Sequence, residues 1–208
     1  MVTFLREQKA GSDWSPSRGA LSVKGIVFRE FIEMVESQFS VETADAIIQS
    51  SSLSTHGAYT SVGTYPHQEM VDLVSNLSVK TGIAVPDLLQ HFGRHLFGRF
   101  VEIHPGMTNA FSDVFSLLSA LENTIHVDVN KLYRDAELPT FSYEQDNQQK
   151  MVFIYRSRRR MADFAQGLID GCIAHFKENI SIQREELPPQ GEEALTRFTL
   201  VRAVDVKH

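Results

Sequence analysis

The sequence predicts an α+β protein in which an N-terminal helical subdomain precedes a C-terminal subdomain with a small antiparallel sheet and a long helix. Three observations support this prediction. Apolar residues recur at helical spacing through most of the first 133 residues, and two short β-rich segments follow at 141–143 and 151–155. The last stretch, 180–186 and 195–204, alternates in polarity like a two-strand hairpin.

The first half of the chain is predicted to be mainly helical. Apolar side chains at intervals of three and four define the helices, and proline at the first turn marks two of their starts. The predicted elements, in order, are a helix from Lys24, a helix over 42–50, a Gly-, Ser- and Thr-rich loop over 54–65, a helix from Pro66 to about Lys80, and a helix opened by Pro86.

The second half begins with a long predicted helix over 110–133, which carries a stripe of Val, Leu and Ile side chains. His126 lies at the edge of that stripe. Pro139 stops the helix, and the first pair of strands follows. Ser157 is predicted to cap the next helix, over about 159–176.

Composition narrows the class of protein. The chain has 42% hydrophobic and 22% charged residues, which is ordinary for a soluble domain, and its net charge of −6 argues against nucleic acid as a partner. The single cysteine, Cys172, excludes an intramolecular disulfide and a multi-cysteine zinc site. No apolar run approaches the roughly 18–20 residues that span a membrane, and no signal peptide is recognisable. A cytoplasmic location is therefore expected.

The first 22 residues differ from the rest of the chain. They are polar and turn-prone, and they have no hydrophobic period. We interpret residues 1–22 as a flexible tail or a misassigned start, and residues 23–208 as the domain.

The residues that carry chemistry are His126 and, 29 to 33 positions later, Tyr155, Ser157 and Arg159. In an extended segment alternate side chains point the same way, so two hydroxyl donors and one guanidinium lie in a row that suits a pair of carboxylates. Each residue alone has a structural explanation, such as a packed histidine or a serine at a helix start. Together they match a haem, which brings two propionates, a large apolar face and an iron that accepts imidazole.

This combination resembles the haem nitric oxide/oxygen binding (H-NOX) domain, a sensor module also found in soluble guanylate cyclase. The resemblance runs from about Val23 to the C-terminus. The segment Val23–Val27 is similar to the Met-Lys-Gly start of the family, and 121–126 resembles the segment that ends in the proximal haem ligand. The residues Tyr155-x-Ser157-x-Arg159 match the propionate-binding motif of the family.

The resemblance implies haem b as cofactor and a role for each of these residues. His126 is expected to be the axial iron ligand, while Tyr155, Ser157 and Arg159 bind propionate. Pro139 falls where the family has a proline that presses on the porphyrin. The distal side is expected to be apolar, and the residues implied there are Val27, Phe31, Leu96, Phe100, Phe164 and Leu168.

The distal residue Phe164 bears on which gas is bound. Oxygen-binding members of the family have a tyrosine nine residues after the tyrosine of the motif, where this chain has Phe164. Bound oxygen needs a hydrogen-bond donor, whereas nitric oxide does not. We therefore predict binding of nitric oxide and carbon monoxide, with no stable oxygen complex.

The sequence contains no output domain, so the resemblance implies a separate effector, either a histidine kinase or a cyclic-dinucleotide enzyme, and no enzyme activity of its own. One alternative is a haem-free interaction module that uses the basic cluster 156–160 on an acidic partner. Another is a metal-dependent enzyme built on His126 and Asp128, with Glu122 or Asp135 nearby. Two residues that are two apart on a helix point to different faces, so this second alternative has poor ligand geometry.

Overall fold

The computed structural model describes residues 21–133 and 136–203. The predicted tail therefore lies outside the described residues up to position 20. The helical half contains, in order, β1 (Ser22–Lys24), α1 (Gly25–Gln38), α2 (Val41–Ser50), β2 (Thr64–Pro66), α3 (His67–Thr81) and α4 (Val85–Ile103).

Local chemistry explains where these helices start and stop. The Ser40 hydroxyl accepts a hydrogen bond from the backbone N–H of Thr43 and so caps α2. Gly82 ends α3 with φ of 74°, a left-handed conformation that glycine adopts without steric cost. Strands β1 and β2 form a three-residue antiparallel pair in which Ser22 faces Pro66. Such short strands have too little alternation to be predicted from sequence.

The long helix predicted over 110–133 is shorter and interrupted. It begins at Val114, because the side chain of Asp113 accepts from the backbone N–H of Ser116 in a capping box. After α5 (Gly106–Asn109), the predicted range contains α6 (Val114–Ser119), a π-helical turn (Leu121–Ile125) and α7 (His126–Leu132). The prediction of one continuous α-helix was therefore wrong at this turn, where hydrogen bonds span five residues.

The C-terminal half forms an antiparallel sheet in the order β3-β4-β6-β5, with one helix between the two hairpins. The elements are β3 (Thr140–Asn147), β4 (Lys150–Ser157), α8 (Ala162–Phe176), β5 (Ile180–Gln190) and β6 (Glu193–Arg202). All four predicted strands are present. The first three extend beyond their predicted bounds, whereas the last, predicted over 195–204, runs from Glu193 to Arg202.

Helix α8 begins later than predicted, and Ser157 does not cap it. Ser157 is the last residue of β4, and its hydroxyl accepts from the backbone N–H of Arg159 at 3.1 Å. Arg160 then has φ of 54°, which is incompatible with a helix already running at that point. The helix starts two residues later, at Ala162.

Two hydrophobic cores confirm the α+β prediction. One is formed by α1 to α4, and the other by α6, α8 and the sheet. Helices α4 and α8 meet at glycines: a Cβ on Gly93 would lie 2.3 Å from the carbonyl oxygen of Phe164, and one on Gly167 would lie 2.1 Å from that of Gln90. The backbones of the two helices therefore touch. Within residues 21–133 and 136–203, no helix has the length and apolar character to cross a membrane.

Candidate functional site

A cavity of about 260 Å³ lies where the two cores meet. Most of its wall comes from α1, α4, α6, the π-helical turn, α7, β4 and α8, together with the segment before β3. Strands β1 and β3 and helices α3 and α5 add single residues or pairs. Almost all of the lining side chains are aliphatic or aromatic, and the polar groups among them include His126, Tyr155 and Arg159. A large apolar space with a few convergent polar groups is the usual form of a ligand site.

His126 is the first residue of α7, directly after the π-helical turn, and its side chain is only 14% exposed. Its Nδ1 lies 3.3 Å from Oε1 of Glu122. Burial lowers the pKa of His126, although the Glu122 carboxylate acts in the opposite direction. A proton on Nδ1, facing that carboxylate, leaves the lone pair of Nε2 available to a metal.

Tyr155 and Ser157 share the buried face of β4, as the alternation predicted, but they have different environments. The hydroxyl oxygen of Tyr155 accepts from the backbone N–H of Met161 at 3.3 Å, which leaves its proton free to be donated. Burial raises the pKa of Tyr155, so the phenol remains protonated. Ser157 is buried and does not line the cavity; its hydroxyl is turned to the backbone of Arg159.

Arg159 lines the cavity and joins segments that are distant in sequence. One guanidinium nitrogen donates to the carbonyl oxygen of Ser22 at 2.5 Å, and the other donates to the carbonyl oxygen of Glu137. The backbone N–H of Ser22 in turn donates to the carboxylate of Glu137 at 3.3 Å. Burial lowers the pKa of Arg159, yet the guanidinium stays charged throughout the physiological range.

Most of the apolar residues proposed from sequence line this cavity. Those present are Val27, Leu96, Phe100, Pro139, Phe164 and Leu168. Phe31 is not among them: it is fully buried in the N-terminal core, where its ring meets Phe92 edge to face at 5.1 Å. Phe31 lies one helical turn beyond Val27 on α1, where the side chains of the N-terminal core enclose it and separate it from the cavity.

The sequence interpretation missed several residues. Tyr133 and Phe97 line the cavity, as do apolar side chains of α6 and the π-helical turn. Glu122 fixes the edge of the His126 ring, and its Oε1 also accepts from the backbone N–H of Phe141 at 2.7 Å. The i, i+4 spacing of Glu122 and His126 is visible in the sequence, but the contact with Phe141 depends on the fold.

The side chains at the cavity suit a metal that takes most of its ligands from a bound organic group. Among residues 21–133 and 136–203 no cluster of three His, Cys, Asp or Glu side chains could hold a bare metal ion. Cys172 also lines the cavity, but burial raises its pKa to about 12, so its thiol stays protonated. The imidazole of His126, the phenol of Tyr155 and the guanidinium of Arg159 around an apolar space fit a haem, whose porphyrin supplies four nitrogen ligands and two carboxylates.

The fold and this site therefore define an α+β protein built to hold a large apolar group with one axial ligand and an anionic edge. Residues 24–184 match the family model described as Haem-NO-binding. The chain belongs to this family, the H-NOX domains, which are haem-based gas sensors.

Solved structures agree with this assignment. An unliganded Fe(II) H-NOX protein from K. algicida is 37% identical, with a TM-score of 0.81 over 89% of this chain and 100% of that chain. An IWP-051-bound H-NOX from Shewanella woodyi, in the Fe(II)CO state, is 40% identical, with a TM-score of 0.74 over 88% and 96% of the two chains. An Fe(II)NO H-NOX from S. oneidensis, at 24% identity, has a TM-score of 0.76 over 86% and 99% and shares the fold. A search among curated proteins found no match.

Proposed function

We propose that this protein is a nitric oxide sensor that binds haem b, with His126 as the axial ligand, and signals to a separate effector protein. The observation that carries the proposal is the presence of His126, Tyr155 and Arg159 in one apolar cavity between the two cores. Residues from two separate parts of the chain converge there, in the chemical types that a haem requires.

Each polar group has a distinct task in this proposal. His126 offers Nε2 to the iron because Nδ1 faces Glu122. Arg159 would donate charge-assisted hydrogen bonds to a propionate, and Tyr155 would donate a hydroxyl hydrogen bond. Ser157 contributes indirectly, since its hydroxyl accepts from the backbone of Arg159 and so helps to fix that residue. Bound haem would supply a ferrous iron that can bind a diatomic gas.

The distal residues favour nitric oxide and carbon monoxide over oxygen. Val27, Leu96, Phe100, Phe164 and Leu168 carry no hydrogen-bond donor on their side chains, and all five line the cavity. Phe164 packs against Phe92 with ring centroids 5.2 Å apart, so the position is filled by an aromatic ring. The carbon monoxide state of the Shewanella woodyi relative supports binding of that gas. We expect no stable oxygen complex.

We propose that the protein is cytoplasmic and that its signal passes to a separate histidine kinase or cyclic-dinucleotide enzyme. The helix that bears His126 exposes Val127 and Leu132 to solvent. A change in the bond between iron and His126 would therefore act on a helix that also reaches the surface. The role proposed for the domain itself is sensing rather than catalysis.

The test is an absorption spectrum of the purified protein, reduced without air and then exposed separately to nitric oxide and to air. A haem Soret band that shifts with nitric oxide and forms no stable complex with oxygen is the expected result. A colourless protein that also fails to take up added haem would overturn the proposal. It would leave the alternative of an interaction module with the basic cluster 156–160.

A further inference from the structure

We propose that Glu122 is a positioning residue for the axial ligand, and that its carboxylate sets both the orientation of the His126 ring and the strength of its bond to iron. This inference rests on the proposed function and goes beyond it, because it assigns the property of the iron–imidazole bond to a residue that does not touch the iron.

One oxygen of the Glu122 carboxylate makes two contacts. Oε1 of Glu122 lies 3.3 Å from Nδ1 of His126 and accepts a hydrogen bond of 2.7 Å from the backbone N–H of Phe141. The same atom therefore faces the imidazole and is fixed by the second residue of β3. A carboxylate held on a strand cannot follow the imidazole freely if the helix that bears His126 moves.

The backbone around Glu122 is not a regular α-helix. This residue lies in the π-helical turn, and the backbone N–H of His126 donates to the carbonyl of Leu121, five residues earlier. Single π-helical turns are rare and occur often at functional sites. Here the wide turn separates α6, which is packed in the C-terminal core, from α7, which begins with His126. Glu122 is thus the side-chain connection between the sheet and the start of α7.

The imidazole of His126 packs beside an aromatic pair of the sheet. Its ring centroid lies 5.6 Å from that of Phe141, and Phe141 stacks on Phe153 at 4.7 Å. Glu122 therefore contacts the Nδ1 edge of the ring while Phe141 packs beside it. Because the Glu122 carboxylate is hydrogen-bonded to the backbone of Phe141, both contacts are tied to the second residue of β3. The side chain of Glu122 is 36% exposed, compared with 14% for His126, so water reaches the carboxylate more easily than the ring.

The chemical consequence follows from the acceptor. A carboxylate that faces the Nδ1 proton increases the basicity of the other nitrogen, which strengthens the bond to the metal and favours the ferric over the ferrous state. Removing the negative charge should weaken that bond. Removing the acceptor altogether should also release the backbone N–H of Phe141.

The experiment compares Glu122→Gln, Glu122→Ala and the control Asp128→Asn. Glu122→Gln keeps the length and a carbonyl acceptor for Phe141 but removes the charge. Asp128 lies on the same helix as His126, is half-exposed and pairs with Lys131 at 2.8 Å, so the control removes a carboxylate two residues beyond His126. The readouts are the iron–histidine stretching band of the ferrous protein by resonance Raman, the midpoint potential, and hydrogen exchange of the Phe141 amide.

We expect Glu122→Gln to lower the stretching frequency and raise the midpoint potential. Glu122→Ala should do both and also speed exchange at Phe141, while Asp128→Asn should match the wild type. Equal frequencies and potentials in all four proteins would overturn the inference, provided that the wild-type band is present and is lost in His126→Gly. A wild type without haem or without that band would instead contradict the proposed function. If Glu122→Ala does not fold, the Glu122→Gln comparison alone decides.

Discussion

The guanidinium of Arg159 donates a hydrogen bond of 2.5 Å to the carbonyl oxygen of Ser22, 137 positions earlier in the chain. Ser22 begins β1, and Arg159 follows the last residue of β4 by two positions. The same guanidinium reaches the carbonyl of Glu137, in the segment before β3. One side chain at the cavity therefore joins the N-terminal strand, the approach to the sheet and the end of its second strand.

Replacing Arg159 by alanine should weaken haem binding, because a charge-assisted hydrogen bond to propionate contributes roughly 1.5–3 kcal/mol. This corresponds to roughly 10- to 150-fold faster haem loss at an unchanged rate of binding. The measurement is haem transfer to an excess of an acceptor protein. Arg158→Ala is the matched control, since Arg158 is exposed and pairs with Glu192 at 2.7 Å. Equal rates for both variants would contradict the role of Arg159.

Replacing His126 by glycine should remove the axial ligand and leave space for free imidazole. The expected result is an altered Soret band and lower haem content, both restored when imidazole is added. His175→Gly serves as the control, because His175 is an exposed histidine that contacts Phe97 and Phe176 at the end of α8. A wild-type spectrum in His126→Gly without imidazole would show that another residue ligates the iron.

Replacing Phe164 by tyrosine should introduce a hydrogen-bond donor into the apolar side of the cavity. We expect this variant to form an oxygen complex in air that is stable enough to record, whereas the wild type forms none. Phe164→Leu, which changes size without adding a donor, should behave like the wild type. Absorption spectra of the reduced proteins in air measure the difference. The prediction fails if Phe164→Tyr binds no oxygen although its haem content is normal.

Replacing Gly93 by alanine should destabilise the protein by about 1–3 kcal/mol, as expected for an extra group in a closely packed contact. The added Cβ would lie 2.3 Å from the carbonyl oxygen of Phe164, so α4 and α8 would have to separate. Gly98, on the same helix, has open space around it. Gly98→Ala should stabilise by about 0.5–1 kcal/mol, because alanine favours a helix. Urea unfolding of the two variants gives opposite signs if the packing argument holds.

The free energy of unfolding should fall as the pH drops below about 6.5. Burial lowers the pKa of His67 and of His95, and the Nε2 atoms of both are buried without a hydrogen-bond partner. As the pH falls, each histidine binds a proton in the unfolded chain before it does so in the folded chain, so acid favours unfolding. Each histidine adds at most about 1.4 kcal/mol per pH unit to the slope of the free energy of unfolding against pH.

Unfolding titrations between pH 8 and pH 5 measure this slope. His67→Leu should make it shallower, since the proton that His67 takes up in the unfolded chain is then absent from both states. An unchanged slope in His67→Leu would show that this histidine is protonated equally in the folded and unfolded chain.

The order and type of most elements followed from residue spacing, since side chains three or four apart share a helix face and alternate side chains share a strand face. Details that depend on hydrogen bonds between neighbours were harder to predict. The π-helical turn at 121–125, the late start of α8 at Ala162 and the strand at 22–24 are such cases. Their apolar patterns are the same as those of a regular helix or a loop.

The sequence by itself determined the α+β class and the set of residue types that suggested a haem: one helical histidine, and a tyrosine, serine and arginine at alternate positions. Only the tertiary structure decided which of them face one cavity. It placed Arg159 and Tyr155 there with His126, turned Ser157 to the backbone and buried Phe31 behind the wall. The reason is physical: spacing fixes the face of a single element, whereas a cavity wall depends on how elements far apart in sequence pack together.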